Sequence, residues 1–146
     1  MNHLQEFMES SIRANVQCYE LSEREAEKYI GEVIRKFHPD KLSGHLSIGH
    51  ESTSIALEPW EFSYSKKLKD EPLFIFFEQR DVNKNKMACI KNGKKLCSIL
   101  EQAYGMEYFV TNQNVSFLLA VNWYEIEGIG EITNLINELN KSSPDE

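Results

Sequence analysis

The stretch Val115-Ser-Phe-Leu-Leu-Ala-Val-Asn-Trp-Tyr-Glu-Ile126 decides the fold of this 146-residue chain. Its centre, Phe117–Val121, is continuously apolar and is flanked by polar turn sequence, which predicts a long strand with a buried middle. Leu73-Phe-Ile-Phe-Phe77 has the same character and predicts a second strand that is covered on both faces of one sheet. Three further strands are predicted, near Ser54, at Met87–Ile90 and at Tyr108–Val110.

Helical periodicity surrounds these strands. Leu4–Val16 carries apolar residues at helical spacing, and a second helix begins with a capping box at Ser22 and Glu25 and ends before Pro39. Lys94–Tyr104 predicts a short inserted helix, and the apolar face at Ile132–Leu139 predicts a last one. Residues 41–53 are rich in Gly, Ser and Thr and predict a loop, and 142–146 predict a frayed tail.

The predicted architecture is therefore a single α+β domain over residues 1–146. It has two N-terminal helices, a mostly antiparallel five-stranded sheet with an inserted helix, and a C-terminal helix. Short polar turns favour antiparallel neighbours, while the pairing across the inserted helix is parallel or antiparallel. No run approaches the roughly 18 apolar residues of a membrane span, and the first residues do not resemble a signal peptide.

The charge of the chain is unevenly distributed. The net charge is −7, and residues 96–146 carry all of it, with eight acids and one base. An acidic surface attracts basic partners and repels nucleic acid and anionic membranes. Two lysine clusters, at 66–69 and 84–95, are the opposing feature, but scarce arginine and the overall acidity leave a weak nucleic-acid footprint.

His38-Pro39-Asp40 follows the second predicted helix, in the sequence Tyr29-Ile-Gly-Glu-Val-Ile-Arg-Lys-Phe-His-Pro-Asp-Lys41. These thirteen residues resemble helix II and the signature loop of a J-domain, the co-chaperone module that stimulates an Hsp70 ATPase. The resemblance implies that His38-Pro39-Asp40 contacts an Hsp70. The alternative is that His38 favours the negative end of the helix dipole and that Pro39 simply stops the helix.

Motifs for catalysis, cofactors or metals are weak. His38, His45 and His50 include imidazoles suited to zinc, yet they fall in loop sequence without the i, i+4 spacing of a helical metal site. Three cysteines, an odd number with no C-x-x-C, fit buried thiols in a reducing cytosol. The chain contains no nucleophile elbow, dinucleotide fingerprint or P-loop. We therefore expect no cofactor and no metal, and place an enzymatic function behind a binding function.

Large aromatic residues stand beside acids just after the apolar centre Phe117–Val121. Trp123, Tyr124, Glu125 and Glu127 form this group. Aromatic anchors next to steering charges are typical of protein-binding surfaces, although Trp123 or Tyr124 could instead cover the core, and the two glutamates could be paired acids or a solvated strand face.

The segment Ser116–Gly130 resembles small uncharacterised bacterial proteins, some of them immunity proteins that neutralise toxins of rival bacteria. The resemblance rests on Phe117-Leu-Leu119, followed by Asn122, an acid and glycines. It extends over roughly the last seventy residues and implies a fold more than an activity. For the activity we expect a cytoplasmic immunity-type inhibitor, because toxin nucleases are commonly basic around their substrate channel and an acidic protein can block that channel. The leading expectation is thus a non-enzymatic module that binds a basic protein through Trp123, Tyr124, Glu125 and Glu127. The runner-up is a chaperone-linked or regulatory adaptor that uses the N-terminal helices and the His-Pro-Asp loop.

Overall fold

The structure, a computed structural model, describes residues 2–144, so the last two residues of the predicted tail lie outside the described part. The helices are α1 (His3–Arg13), α2 (Glu23–Phe37), α3 (Leu57–Trp60), α4 (Leu96–Leu100) and α5 (Thr133–Leu139). The strands are β1 (Cys18–Glu20), β2 (Thr53–Ala56), β3 (Leu73–Phe76), β4 (Met87–Ile90), β5 (Tyr108–Asn112), β6 (Phe117–Val121) and β7 (Glu125–Gly130).

The seven strands form one antiparallel sheet in the order β1-β4-β3-β5-β6-β7-β2. Strand β3 lies between β4 and β5 and pairs antiparallel with both, so the two strands that the inserted helix joins run in the same direction without pairing with each other. The strands at the two edges are β1 and β2, with three and four residues.

The prediction of five strands and two consecutive N-terminal helices is wrong in these details. Strand β1 separates α1 from α2, and its three partly exposed residues carry no apolar run that could have signalled a strand. The predicted long strand Val115–Ile126 is two strands, because the chain reverses at Asn122. The short helix α3 was also not predicted.

Both faces of the sheet are covered, as the continuously apolar strands predicted. Every residue of β3 and β6 is buried. Helix α2 and the loop 41–52 cover one face, where Leu46 and Ile48 of the loop are buried. Helices α1, α3, α4 and α5 contribute to the core on the other face.

Helix α5 lies unusually close to β7, and a glycine permits this. A Cβ atom on Gly128 would lie 2.2 Å from Ile136 Cδ1 and 2.7 Å from Ile132 Cγ2. A side chain at position 128 would therefore force the Ile132 and Ile136 side chains out of the positions in which α5 packs on β7. Within residues 2–144, no helix combines the length and the apolar character that crossing a membrane requires.

Candidate protein-binding surface

The turn between β6 and β7 is built by one buried amide. Asn122 is 2% exposed, and its Oδ1 accepts hydrogen bonds from the backbone N–H groups of Tyr124 and Glu125, both at 2.9 Å. Its Nδ2 donates to the carbonyl of Leu46 at 3.1 Å. This arrangement reverses the chain within three residues and holds Trp123 and Tyr124 at the tip of the turn, where they are 55% and 74% exposed.

Two further aromatic side chains are exposed at the same end of the molecule. Phe62 follows α3 and Tyr104 follows α4, and both line a cleft together with Trp123. We call Phe62, Tyr104, Trp123 and Tyr124 the aromatic end. The backbone at Gly105 approaches the Trp123 ring so closely that a Cβ there would lie 3.0 Å from it. The φ of Gly105 is not positive, so its backbone does not demand a glycine, but a side chain there would crowd the Trp123 ring.

The cleft at the aromatic end continues into a cleft on each side. Ala103 and Tyr104 are shared with a cleft against α1 that Glu6, Glu9 and Arg13 line. On the other side, three residues are shared with a cleft beside Glu78 and Glu107; they are Gly105, Met106 and Trp123. We call the three clefts together the end groove. Residues 102–107 run along all of it.

Hydrogen bonds fix this segment from both sides. Glu6 of α1 accepts from the backbone N–H of Tyr104 at 3.0 Å, and Arg13 donates to the carbonyl of Gln102 at 2.9 Å. At the other end, the Glu107 carboxylate contacts His45 Nδ1 at 3.0 Å and accepts from the N–H of Leu46 at 3.3 Å. The wall of the groove is therefore preformed rather than a loose loop.

The end groove is acidic. Its carboxylates belong to Glu6, Glu9, Glu61, Glu78 and Glu107. Among the described residues of the lining, the opposing groups are the Arg13 guanidinium and the His3 imidazole, whose pKa is lowered chiefly by burial. A lowered pKa leaves His3 neutral at pH 7, so the lining is dominated by negative charge.

Glu127, which the sequence placed with the partner-binding residues, is 4% exposed and faces inwards. Its Oε1 accepts from the N–H groups of Ile48 at 2.8 Å and Gly49 at 3.2 Å, and from the Ser47 hydroxyl at 3.2 Å. Its Oε2 accepts from Asn122 Nδ2 at 3.3 Å. The carboxylate thus ties the loop 41–52 to the sheet and is not available as a surface charge.

Glu125 is half-buried at the start of β7, opposite Ala56 of β2. Burial, reinforced by the neighbouring Glu127 carboxyl group, raises the pKa of Glu125. The ring of the exposed Tyr124 meets His45 edge-on, with the ring centroids 5.6 Å apart. The predicted quartet therefore divides into two exposed aromatics, one intermediate acid and one internal acid.

The His-Pro-Asp segment does not lead into the third helix of a J-domain. His38 caps α2 in the left-handed conformation, with φ 47°, and donates its N–H to Ile34. The N–H of Asp40 bonds to Ile48, and Lys41 pairs with Ser47, so a tight loop follows and then β2. The helical hairpin that presents this motif in J-domains is replaced by a loop folded onto the sheet.

The other candidate sites do not assemble. Among residues 2–144, no group of three or more His, Cys, Asp or Glu side chains is placed to hold a metal ion. Burial raises the pKa of all three cysteines, to about 12 for Cys18, which disfavours the reactive thiolate.

Sequence reasoning proposed Trp123 and Tyr124 but not the residues that surround them. Phe62 and Tyr104 stand singly in turns, and Glu6 lies about a hundred residues from the hairpin. The pairing of an isolated aromatic with a glycine at Tyr104-Gly105 is the one local signal that could have pointed to this surface.

A comparison with known protein families, curated proteins and solved structures finds no match for this chain. The surface itself is therefore the basis for a functional proposal.

Proposed function

We propose that this chain is a non-enzymatic protein-binding module, an immunity-type inhibitor that blocks a bacterial toxin by covering a basic surface of it. The observation that carries the proposal is the aromatic end, where four large aromatic side chains are between 42% and 74% exposed around an acidic groove. Soluble proteins rarely leave such a group in water unless a partner covers it.

The charge of the groove favours a basic partner. Nuclease toxins must attract a polyanion, so the surface around their substrate channel is positively charged. An acidic inhibitor associates rapidly with such a surface through electrostatic steering, and aromatic side chains then slow its dissociation. Three free cysteines, Cys18, Cys89 and Cys97, suit the reducing cytosol in which an immunity protein would protect its host.

The small volume of the middle cleft supports binding of a partner's side chain over small-molecule chemistry at that point. The middle cleft holds about 70 Å³, whereas pockets for metabolites usually enclose roughly 300–1,000 Å³. It is lined mainly by apolar side chains, and the Asn122 amide and the Tyr108 hydroxyl in its lining already form hydrogen bonds within the protein. Such a cleft accepts a side chain of a partner rather than a substrate.

Affinity capture from the native host tests the proposal. The wild-type chain, the double variant Tyr104→Ala/Trp123→Ala and the control Tyr19→Ala would be immobilised in parallel. Tyr19 is also an exposed aromatic, 49% accessible, but it lies on β1 at the far edge of the sheet. We expect a basic protein that the wild type and Tyr19→Ala retain and that the double variant loses.

The captured protein would then be assayed for toxicity in cells with and without this chain. Inhibition by the wild type and by Tyr19→Ala, and none by the double variant, is the expected result. A captured partner that is acidic, that binds the folded double variant equally well, or whose activity this chain leaves unchanged would overturn the proposal.

A further inference from the structure

We propose that the end groove receives an extended segment of its partner, in which one apolar side chain is flanked on both sides by basic ones. This inference rests on the proposed function and identifies the part of the partner that is recognised. It follows from how apolar and acidic groups alternate along the groove.

The middle of the groove is lined mainly by apolar side chains, with Glu61 beside them. Leu57, Leu100 and Val121 contribute to its lining, and the exposed rings of Phe62, Tyr104 and Trp123 surround the opening. At about 70 Å³ the cleft is large enough for one side chain and too small for the body of a helix. A single apolar anchor in a largely water-excluded pocket is the arrangement that contributes most to binding energy in interfaces.

Acids flank this middle cleft on both sides. Glu6 and Glu9 line the cleft against α1, and Glu78 and Glu107 line the cleft beyond Trp123. Four of the five groove carboxylates therefore lie at its two ends, and the fifth, Glu61, lies beside the largely apolar cleft between them. A complementary ligand has positive charge before and after its apolar residue.

The protein itself shows that the α1 side accommodates a guanidinium group. Arg13 donates there to Ser10 Oγ at 2.8 Å and to the carbonyl of Gln102 at 2.9 Å, and lies 3.4 Å from Glu6. Glu9, which is exposed, shares its carboxylate only with Gln5 among the hydrogen bonds of this region, at 3.3 Å. Glu9 is thus placed to form an ion pair with a basic side chain of a partner.

The rings of Tyr104 and Trp123 stand at the two boundaries between clefts, since each ring lines two of them. An arginine that passes over either ring towards the acids would add a cation–π contact, which contributes about 0.5–1 kcal/mol at an exposed site. In an extended chain, side chains two residues apart are separated by roughly 7 Å and can enter successive clefts.

Peptide titration followed by ¹⁵N NMR tests this inference on the intact protein. The probe is the capped peptide Arg-Ser-Leu-Ser-Arg, with Arg-Ser-Ser-Ser-Arg and Glu-Ser-Leu-Ser-Glu as matched controls. We expect the first peptide to shift the amide of Gly105 and the indole N–H of Trp123. Both controls should bind at least tenfold more weakly.

Two protein variants with the same charge change locate the site. Glu9→Lys, inside the groove, should weaken binding of Arg-Ser-Leu-Ser-Arg severalfold, whereas Glu138→Lys, an exposed position on α5 outside the groove, should leave it unchanged. Tyr104→Ala should also weaken binding while the rest of the spectrum keeps its folded dispersion.

The outcomes separate this inference from the proposed function. Equal binding of Arg-Ser-Leu-Ser-Arg and Arg-Ser-Ser-Ser-Arg, or equal effects of Glu9→Lys and Glu138→Lys, would show attraction by charge alone and overturn the inference. Absence of any peptide binding, with a captured partner that still depends on Trp123, would overturn the extended segment but leave the protein-binding function standing.

Discussion

Replacing Glu127 with alanine should destabilise the protein substantially, although this acid was first placed with the exposed partner-binding residues. The carboxylate is 4% exposed and is the acceptor for the backbone N–H groups of Ile48 and Gly49, at 2.8 and 3.2 Å. Glu127→Ala removes that acceptor and leaves the buried N–H of Ile48 and the partly buried N–H of Gly49 without it. The variant should therefore release the loop from the sheet.

The expected magnitude follows from these two donors. An unsatisfied buried N–H costs about 1–3 kcal/mol, so two of them give a loss of about 2–6 kcal/mol. Relief of the repulsion between Glu125 and Glu127 offsets a part of this. The Asn122 amide keeps its bond to the Leu46 carbonyl, and the serine hydroxyls can turn towards water. We expect a net loss of about 2–4 kcal/mol in the free energy of unfolding.

Urea denaturation measures the free energy, and hydrogen exchange of the Ile48 amide reports on the loop. The matched control is Glu131→Ala, since Glu131 is an exposed acid just after β7 and should change stability by less than about 0.5 kcal/mol. The more conservative Glu127→Gln keeps one acceptor oxygen but points an amide NH₂ at the NH₂ of Asn122. It should therefore be intermediate. A Glu127→Ala protein as stable as the control, with Ile48 still protected, would refute this reasoning.

Three further outcomes are expected. Glu125→Gln should stabilise the protein by less than about 1 kcal/mol at pH 7, because burial beside Glu127 raises the folded-state pKa of Glu125. Urea midpoints measured across pH should show this advantage fading as pH falls through the raised pKa and vanishing below the ordinary pKa of 4.5. A stability difference that stays constant with pH would contradict this. Leu119→Asp should abolish cooperative unfolding by circular dichroism, because Leu119 is 1% exposed and an unpaired charge there costs more than about 4 kcal/mol; an unchanged melting temperature would show that β6 is not an inner strand. Gly105→Ala should displace the ring of Trp123 and alter its fluorescence with little loss of stability, and an unchanged spectrum would mean that the 3.0 Å approach is not tight.

Features that lie within one continuous segment could be predicted from the sequence. The capping box at Ser22 and Glu25 and the apolar face that follows it gave α2 with its observed start. Continuous apolar runs gave β3 and β6 as buried inner strands, because covering both faces of a strand removes the polar alternation.

Features that depend on distant partners could not be predicted. Strand β1 forms because its three residues pair with the edge of β4. Nothing in the sequence Cys18–Glu20 itself predicts a strand. The turn at Asn122 depends on hydrogen bonds from its side chain to two backbone N–H groups. An asparagine in an apolar stretch does not by itself predict those two hydrogen bonds.

The candidate surface was half predictable for the same reason. Trp123 and Tyr124 stand together in the sequence, whereas the groove adds Phe62, Tyr104 and the acids of α1 from separate segments. The prediction that Glu127 is exposed was wrong. The alternation of side chains along β7 places Glu125 and Glu127 on one face of the strand, but it does not reveal that the loop 41–52 folds over Glu127.

Association kinetics of this chain with its captured partner, measured at several salt concentrations, test directly whether the aromatic end and the end groove bind that partner. We predict an association rate that falls steeply with added salt and falls further in Glu9→Lys, but not in Glu138→Lys. Trp123→Ala should leave association nearly unchanged and speed dissociation by roughly thirtyfold, the equivalent of a hot-spot loss of about 2 kcal/mol. Salt-independent association, or a Trp123→Ala variant that dissociates as slowly as the wild type, would contradict the claim that the aromatic end and the end groove form the binding surface.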